Sequence, residues 1–365
     1  MKGQRQLAII LCVFSSVTAM SEVPFIFQDN SPALASEVNA NFNDLDNKIL
    51  ELARPLMNTT QTPVDCSLDP NALVNAVDDG FRNILVTQGD CNGGLYVRNS
   101  LQITGAGKMT TGIVGNGLGT RPITVHNGSL WLNNISVRGE PGIDATLLGY
   151  GQSYVELNNV DLYCNGGTRL GYMLSSVIRM IATTSSDSCS GNKFKIISNS
   201  SAFLSRDNSF VSTDNDDVFW ISDSSTLDLG NNNVIHNSVG PAIVFGRGSA
   251  GNLTGSEIIG DVYVTEMSAV SIGKLNWQAD LSGERNLYIQ HSDVKFYIYS
   301  TEGGINSGLN LFVSLHGYLD IKGPALINSN IELDDDSLLV IHEGSLDTSS
   351  SIVIIDADSK VKNYW

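Results

Sequence analysis

Three carboxylates crowd one short stretch of this chain: Asp214, Asp216 and Asp217. His236 follows 22 residues after Asp214, Asp187 precedes the group and Asp261 follows it, and Arg206 and Arg247 are the nearest cations in sequence. Carboxylates packed closely enough to separate their pKa values can act as acid and base on a glycosidic bond. In that reading Asp214 and Asp217 are the catalytic pair, with His236 and Arg247 as partners. Asp214, Asp216 and Asp217 also have the oxygen chemistry that chelates Ca²⁺. Such an ion would brace the turn or neutralise a uronate. The plain alternative is a solvated acidic turn.

Other groups are weaker signals. Asp334, Asp335 and Asp336 form a second acidic stretch. His126, His291, His316 and His342 have no neighbours at metal-ligand spacing. Trp131, Trp220 and Trp277 would stack on sugar rings if exposed and pack as apolar side chains if buried. The stretch 105–108 contains Gly and Lys but lacks the spacing of a phosphate-binding loop.

A repeat must position all of these. A five-residue signature, small-x-apolar-x-apolar, begins at Gly128, Ser153, Ser176, Ser201, Ser225, Ser268, Ser292, Gly317, Ser337 and Ser351. A degraded copy begins at Ser249. The usual interval is about 24 residues, and the two apolar positions, being two apart, share one face of a strand. Stacking one strand per interval builds an interior column of Val, Ile and Leu. Eleven such layers at about 4.8 Å give a rod about 50 Å long. Asn133-Asn134 and Asn158-Asn159 recur at the same interval, which predicts a ladder of stacked turn amides. The outward positions Leu338, Val340, Ile352 and Ile354 are apolar as well, which predicts that the chain's own tail or a neighbouring subunit covers the C-terminal end.

This pattern, over residues 65–365, resembles the right-handed parallel β-helix family, the pectate-lyase-like superfold. The resemblance implies an all-β solenoid whose ligands lie along a groove outside the stacked coils. It also spans lyases, glycosidases, esterases and adhesins, so it leaves the activity open. The acidic stretch is similar in part to polygalacturonase-type β-helix glycosidases. Those place one Asp and an Asp-Asp pair on successive coils, followed by Gly-His-Gly and Arg-x-Lys. Here the three Asp residues share one turn, His236 lies in Ile-His-Asn, and Arg-x-Lys is absent.

The remaining chain divides as follows. Residues 1–19 read as a secretory signal peptide: Lys2 and Arg5, an apolar run over 7–13, then a small-residue cleavage site. Residues 20–57 read as a lead-in and a short amphipathic helix, with Val38, Phe42, Leu45, Ile49, Leu52 and Leu56 at 4-3 spacing. That stripe either packs within the chain or joins copies into a homo-oligomer. The lead-in resembles a short N-terminal motif of exported bacterial proteins. Residues 58–64 read as a linker, 65–107 as a cap with a helix over 68–81 and the first coils, and 108–365 as the β-helix.

Four cysteines remain after the leader: Cys66, Cys91, Cys164 and Cys189. An even number in an exported chain suggests disulfides. Of three pairings, Cys66–Cys91 and Cys164–Cys189 are favoured, because each joins residues 25 apart, about one coil. The formal charge is −17, and loss of Lys2 and Arg5 makes it about −19. Such a surface repels nucleic acid and anionic lipid, and no later stretch is apolar enough to span a membrane.

These readings converge on a secreted or cell-surface β-helix that engages a polysaccharide or surface glycan, as a binding, adhesion or display module. One alternative is a polysaccharide lyase or glycoside hydrolase working beside Asp214–Asp217. A second is a structural fibre or adhesin that recognises protein. Ca²⁺ is the one cofactor the residues suggest.

Overall fold

The structure is a computed structural model that describes residues 60–365 apart from 118, 186–188, 274–275, 279–285, 298–305, 308, 323–325, 328, 343–349 and 365. The leader, the lead-in and the helical stripe therefore lie outside the described residues, as does Asp187.

The described chain is a parallel β-helix, and every strand pairing is parallel. Each coil runs through three strand rows, here called the first, second and third faces. In one coil these are Ser201–Arg206, Ser209–Ser212 and Phe219–Ile221. Each strand pairs with its counterparts one coil before and one coil after, for example Ile178 with Val155 and Ala202. Backbone donors and acceptors are thereby satisfied between coils. The inward side chains merge into one core from Val64 to Ile341.

The signature repeat is the first face. Its apolar positions are inward: Leu130, Val155, Ile178 and Leu227 are all buried. Its small residue has a hydrogen-bonding reason. Ser200 Oγ donates to Ile197 O (2.5 Å) and accepts the Ser176 N–H (3.1 Å), and Ser225 Oγ accepts the Ser200 N–H (3.1 Å). Serine fits this buried corner because its one hydroxyl both donates and accepts. The predicted amide ladder is present, with Asn159 Nδ2 donating to Asn134 Oδ1 (2.9 Å) at left-handed corners. Cys66 is bonded to Cys91 and Cys164 to Cys189, with Cα–Cα distances of 5.0 and 5.4 Å.

Several expectations need correcting. The copy placed at Ser201 is out of frame by one: Ala202 and Leu204 are buried, in register with Ile178 and Met180, so the copy begins at Ser200. Small Ala202 belongs to the coil that carries buried Phe210 and Phe219 on its other faces, and Phe194 stacks on Phe219 at 5.0 Å. The degraded copy has the same logic. A Cβ on Gly251 would lie 2.4 Å from Phe245, whose ring fills the core there.

The copy at Ser351 belongs to the third face, not the first. Ile352 and Ile354 stack on the inward Ile331 and Leu333, so they are not outward. They are nonetheless exposed, and the tail does not fold over them: Lys360–Tyr364 instead adds a strand to the first face beside Leu338–His342. Leu338 and Val340 do point outward, and beside the tail strand's Lys360 and Lys362 Val340 is buried and Leu338 half-buried. At the other end, part of the expected linker is a strand, Thr62–Asp65, paired with Asn83–Asn92. Its Pro63 is tolerated because this is an edge. The cap helix is Ala72–Asp78, shorter than 68–81, with Leu73 and Ala76 on the core and Leu68 exposed.

Candidate functional site

The corner between the second and third faces carries the acidic stretch, between strands Ser209–Ser212 and Phe219–Ile221. Asp214 Oδ1 accepts hydrogen bonds from Ser212 Oγ (2.9 Å) and the Asp216 N–H (3.3 Å). Its Oδ2 is buried without a hydrogen-bond partner. Asp217 is 8% exposed and accepts a hydrogen bond from Asn192 Nδ2 (2.7 Å). Burial, with the Asp216 charge next, pushes the Asp217 carboxyl up to about 7.

The coil winding separates the other sequence candidates from this corner. Arg247 lies at the opposite end of the third face, beyond Phe245, and pairs with Asp223 (3.4 Å) and Glu266 (3.5 Å). Asp217 and Asp223 flank one extended strand. Six residues at about 3.3 Å put them roughly 20 Å apart. His236 is on the second face, in register with Val211. No hydrogen bond or ion pair joins His236 or Arg247 to Asp214, Asp216 or Asp217 among the described residues. Nor do three or more His, Cys, Asp or Glu side chains gather there in a metal-holding group among the described residues. In register with Asp217, the coil before carries Asn192 and the coil after carries Pro241, neither of which titrates. The next carboxylate in that row is Asp261, two coils on, about 10 Å along the axis.

Beside this corner runs a feature that sequence reasoning missed. The outward position of the third face forms a continuous row in strict register. It includes Tyr96 at its start, then Tyr172, Lys195, Trp220, Tyr263, Tyr288 and Phe312. All but Tyr96, which is exposed, are half-buried. Tyr263 stacks on Tyr288 at 4.4 Å and Tyr288 on Phe312 at 4.9 Å. Burial, then the neighbouring Tyr288 and Asp261, hold the Tyr263 phenol protonated. Trp220 has no aromatic partner among the described residues. The signal was available: an aromatic residue sits between two inward apolar ones in Leu95–Val97, Phe219–Ile221, Asn286–Gln290 and Asn310–Ser314. It went unread because the third face has no small-residue marker to set its frame.

The row's first member is part of a ring cluster. The Tyr96 hydroxyl is 2.6 Å from that of Tyr150 and 2.9 Å from His126 Nδ1, and His126 stacks on Tyr150 at 4.3 Å. An open cavity of about 570 Å³ adjoins it, lined by Tyr96, Thr124 and the bidentate pair Arg121–Asp144 (2.6 and 2.9 Å). That pairing with Arg121 holds the Asp144 carboxyl below its ordinary value. Of the tryptophans, Trp131 is buried, Trp220 belongs to the row, and the Trp277 side chain lies outside the described residues. Among the described residues no helix is long and apolar enough to cross a membrane.

No protein-family model matches the sequence, and no curated protein is similar to it. Among solved structures, three catalytic-domain variants of a GH87 α-1,3-glucanase are similar, two in complex with nigerose and one with tetrasaccharides. Each is 12% identical and covers 84% of this chain and 69% of its own, with TM-scores of 0.35, 0.31 and 0.28.

Proposed function

We propose that this chain binds polysaccharide lengthwise along its third face. The observation that carries this is the in-register row Tyr172, Lys195, Trp220, Tyr263, Tyr288 and Phe312 beside a polar corner. Sugar rings present apolar C–H surface with polar groups at the rim. An apolar aromatic band flanked by amides and carboxylates complements both. Asn310 and Asn330 supply that polar edge, joined by an amide hydrogen bond of 3.2 Å and anchored to the buried Asn286 by one of 3.1 Å. The two disulfides fit an oxidising compartment, so secretion or surface display goes with this reading. A glycan-array screen of the folded protein, repeated with Trp220→Ala and Tyr288→Ala, tests it. Binding that both variants lose by about tenfold or more supports the assignment. Binding that neither variant changes removes the third face from it.

A second reading is favoured by one observation, the nearly buried Asp217 carboxyl beside the same row, which burial pushes up to about 7. A carboxyl protonated near neutrality is suited to general acid work. With Asp261 two coils away, the separation approaches that of an inverting hydrolase. Release of reducing ends that stops in Asp217→Asn would establish turnover. Binding without release would leave Asp217 a structural carboxyl.

A further inference from the structure

The third face is not uniform in charge, and its polarity runs against composition. Asp and Glu outnumber Lys and Arg by 38 to 21 in this chain. Most cations near carboxylates are paired, as in Lys108–Asp161 (2.8 Å), Arg138–Asp90 (2.8 Å) and Arg121–Asp144. Arg169 and Lys195 are different. They flank one ring, with the Arg169 guanidinium carbon 5.3 Å and the Lys195 ammonium 5.5 Å from the Tyr172 centroid. Neither has a carboxylate within ion-pair distance among the described residues; the nearest influence on Arg169 is Asp144, which is held by Arg121 and feels the Arg169 charge from further off. Arg169 Nε is buried with no hydrogen-bond partner. Lys195 occupies the row itself, in register between Tyr172 and Trp220. Further towards the C-terminus the same corner and row carry Asp217, Asp261 and Glu332 instead.

A ring with a cation on each side is stabilised by cation–π attraction. That attraction uses no N–H donor, and among the described residues no carboxylate lies within ion-pair distance of either cation. A sugar lying across Tyr172 and Trp220 would bring its rim substituent to Lys195. We infer that the glycan of the third face is acidic, and that Arg169 and Lys195 hold its carboxylate or sulfate groups over Tyr172. This rests on the polysaccharide reading above and names the class of ligand for that site.

The test uses the full folded protein, titrated with polygalacturonate, dextran sulfate and neutral dextran, at low and raised salt. The wild type is expected to bind at least one acidic polymer, more weakly as salt rises, and to bind dextran more weakly. Preference for polygalacturonate or for dextran sulfate distinguishes the carboxylate from the sulfate. Arg169→Gln and Lys195→Met are each expected to weaken acidic-polymer binding about tenfold, the loss for one charge-assisted contact. Lys195→Arg, which keeps the charge on a half-exposed side chain, is expected to retain it, and this variant stands even if Arg169→Gln does not fold. Trp220→Ala should weaken every polymer that binds. Equal binding of neutral and acidic polymers, or binding indifferent to both cation substitutions, overturns the acidic assignment and leaves the glycan reading in place. Folded wild type that binds neither these polymers nor any glycan of the array overturns both.

Discussion

The first and third faces are built from the same strand geometry and stack over the same coils, yet they differ in what varies along them. On the first face the inward pair and the buried serine recur, and the serine hydroxyls link Ser176, Ser200 and Ser225 through successive coils. On the third face the inward residues are equally buried, but the outward position changes from Tyr172 to Lys195 to Trp220. Outward residues change along the first face too, through Glu156, Arg179, Phe203 and Asp228, but the third face lines up aromatic rings in stack, Tyr263 on Tyr288 and Tyr288 on Phe312. The lesson is that in a solenoid the face with the weaker repeat is the better place to look for recognition.

The largest expected break in this comparison is on the first face. Ile178→Ala empties a fully buried site between Val155 and Ala202. It is expected to cost about 2–5 kcal/mol in urea unfolding. A loss under about 1 kcal/mol would mean that the column collapses to fill the space. Asp217 gives a pH-dependent effect at the third-face corner. Its folded pKa, about 7, lies above the ordinary carboxylate value, so between about pH 4 and 7 the folded protein keeps a proton that the unfolded chain releases. Its contribution is therefore fully present below the unfolded value and lost as pH rises through 7. The change is expected to be on the order of 2–4 kcal/mol. Unfolding free energies of wild type and Asp217→Asn at pH 5 and pH 8 check this. The variant should lack that part of the decline, and parallel declines would refute the shift. Ser200→Ala is next in size. It leaves the buried Ser176 N–H without its acceptor and is expected to cost about 1–3 kcal/mol. Retention of wild-type stability would show that water replaces the hydroxyl.

How much could be read in advance follows the same division. The coil interval, the inward columns and both disulfides were legible because each depends on one residue type recurring at one spacing. Frame errors arose where neighbouring residues offered two readings: Ser200 and Ser201 are both serine, and Ser351 is followed by four apolar residues. The candidate site was legible only as residue types. Asp214, Asp216 and Asp217 were bound to be neighbours, but Arg247 needed the three-faced winding to be located, since one interval does not say which corner a residue occupies. The aromatic row was invisible for a related reason. Its members skip coils, with Val244 between Trp220 and Tyr263, so no period connects them until the strands are in register.

The smallest expected effect on stability sharpens the comparison most. Trp220 is half-buried, faces outward, and has no aromatic partner among the described residues. Its neighbours in the row are Lys195 and Val244, and the core beneath it is already closed by Phe219 and Ile221. Removing the indole therefore opens no interior cavity, and Trp220→Ala is expected to cost about 1 kcal/mol or less. A tryptophan retained for packing would behave like Ile178, with a loss several times larger and little change at the surface. A tryptophan retained for recognition would leave the unfolding midpoint almost unmoved while glycan binding falls. Measuring unfolding and binding on the same Trp220→Ala preparation separates the two. A large stability loss there would make the third face a second structural face, and would transfer the recognition role to the Tyr96, His126 and Tyr150 cluster at its N-terminal end.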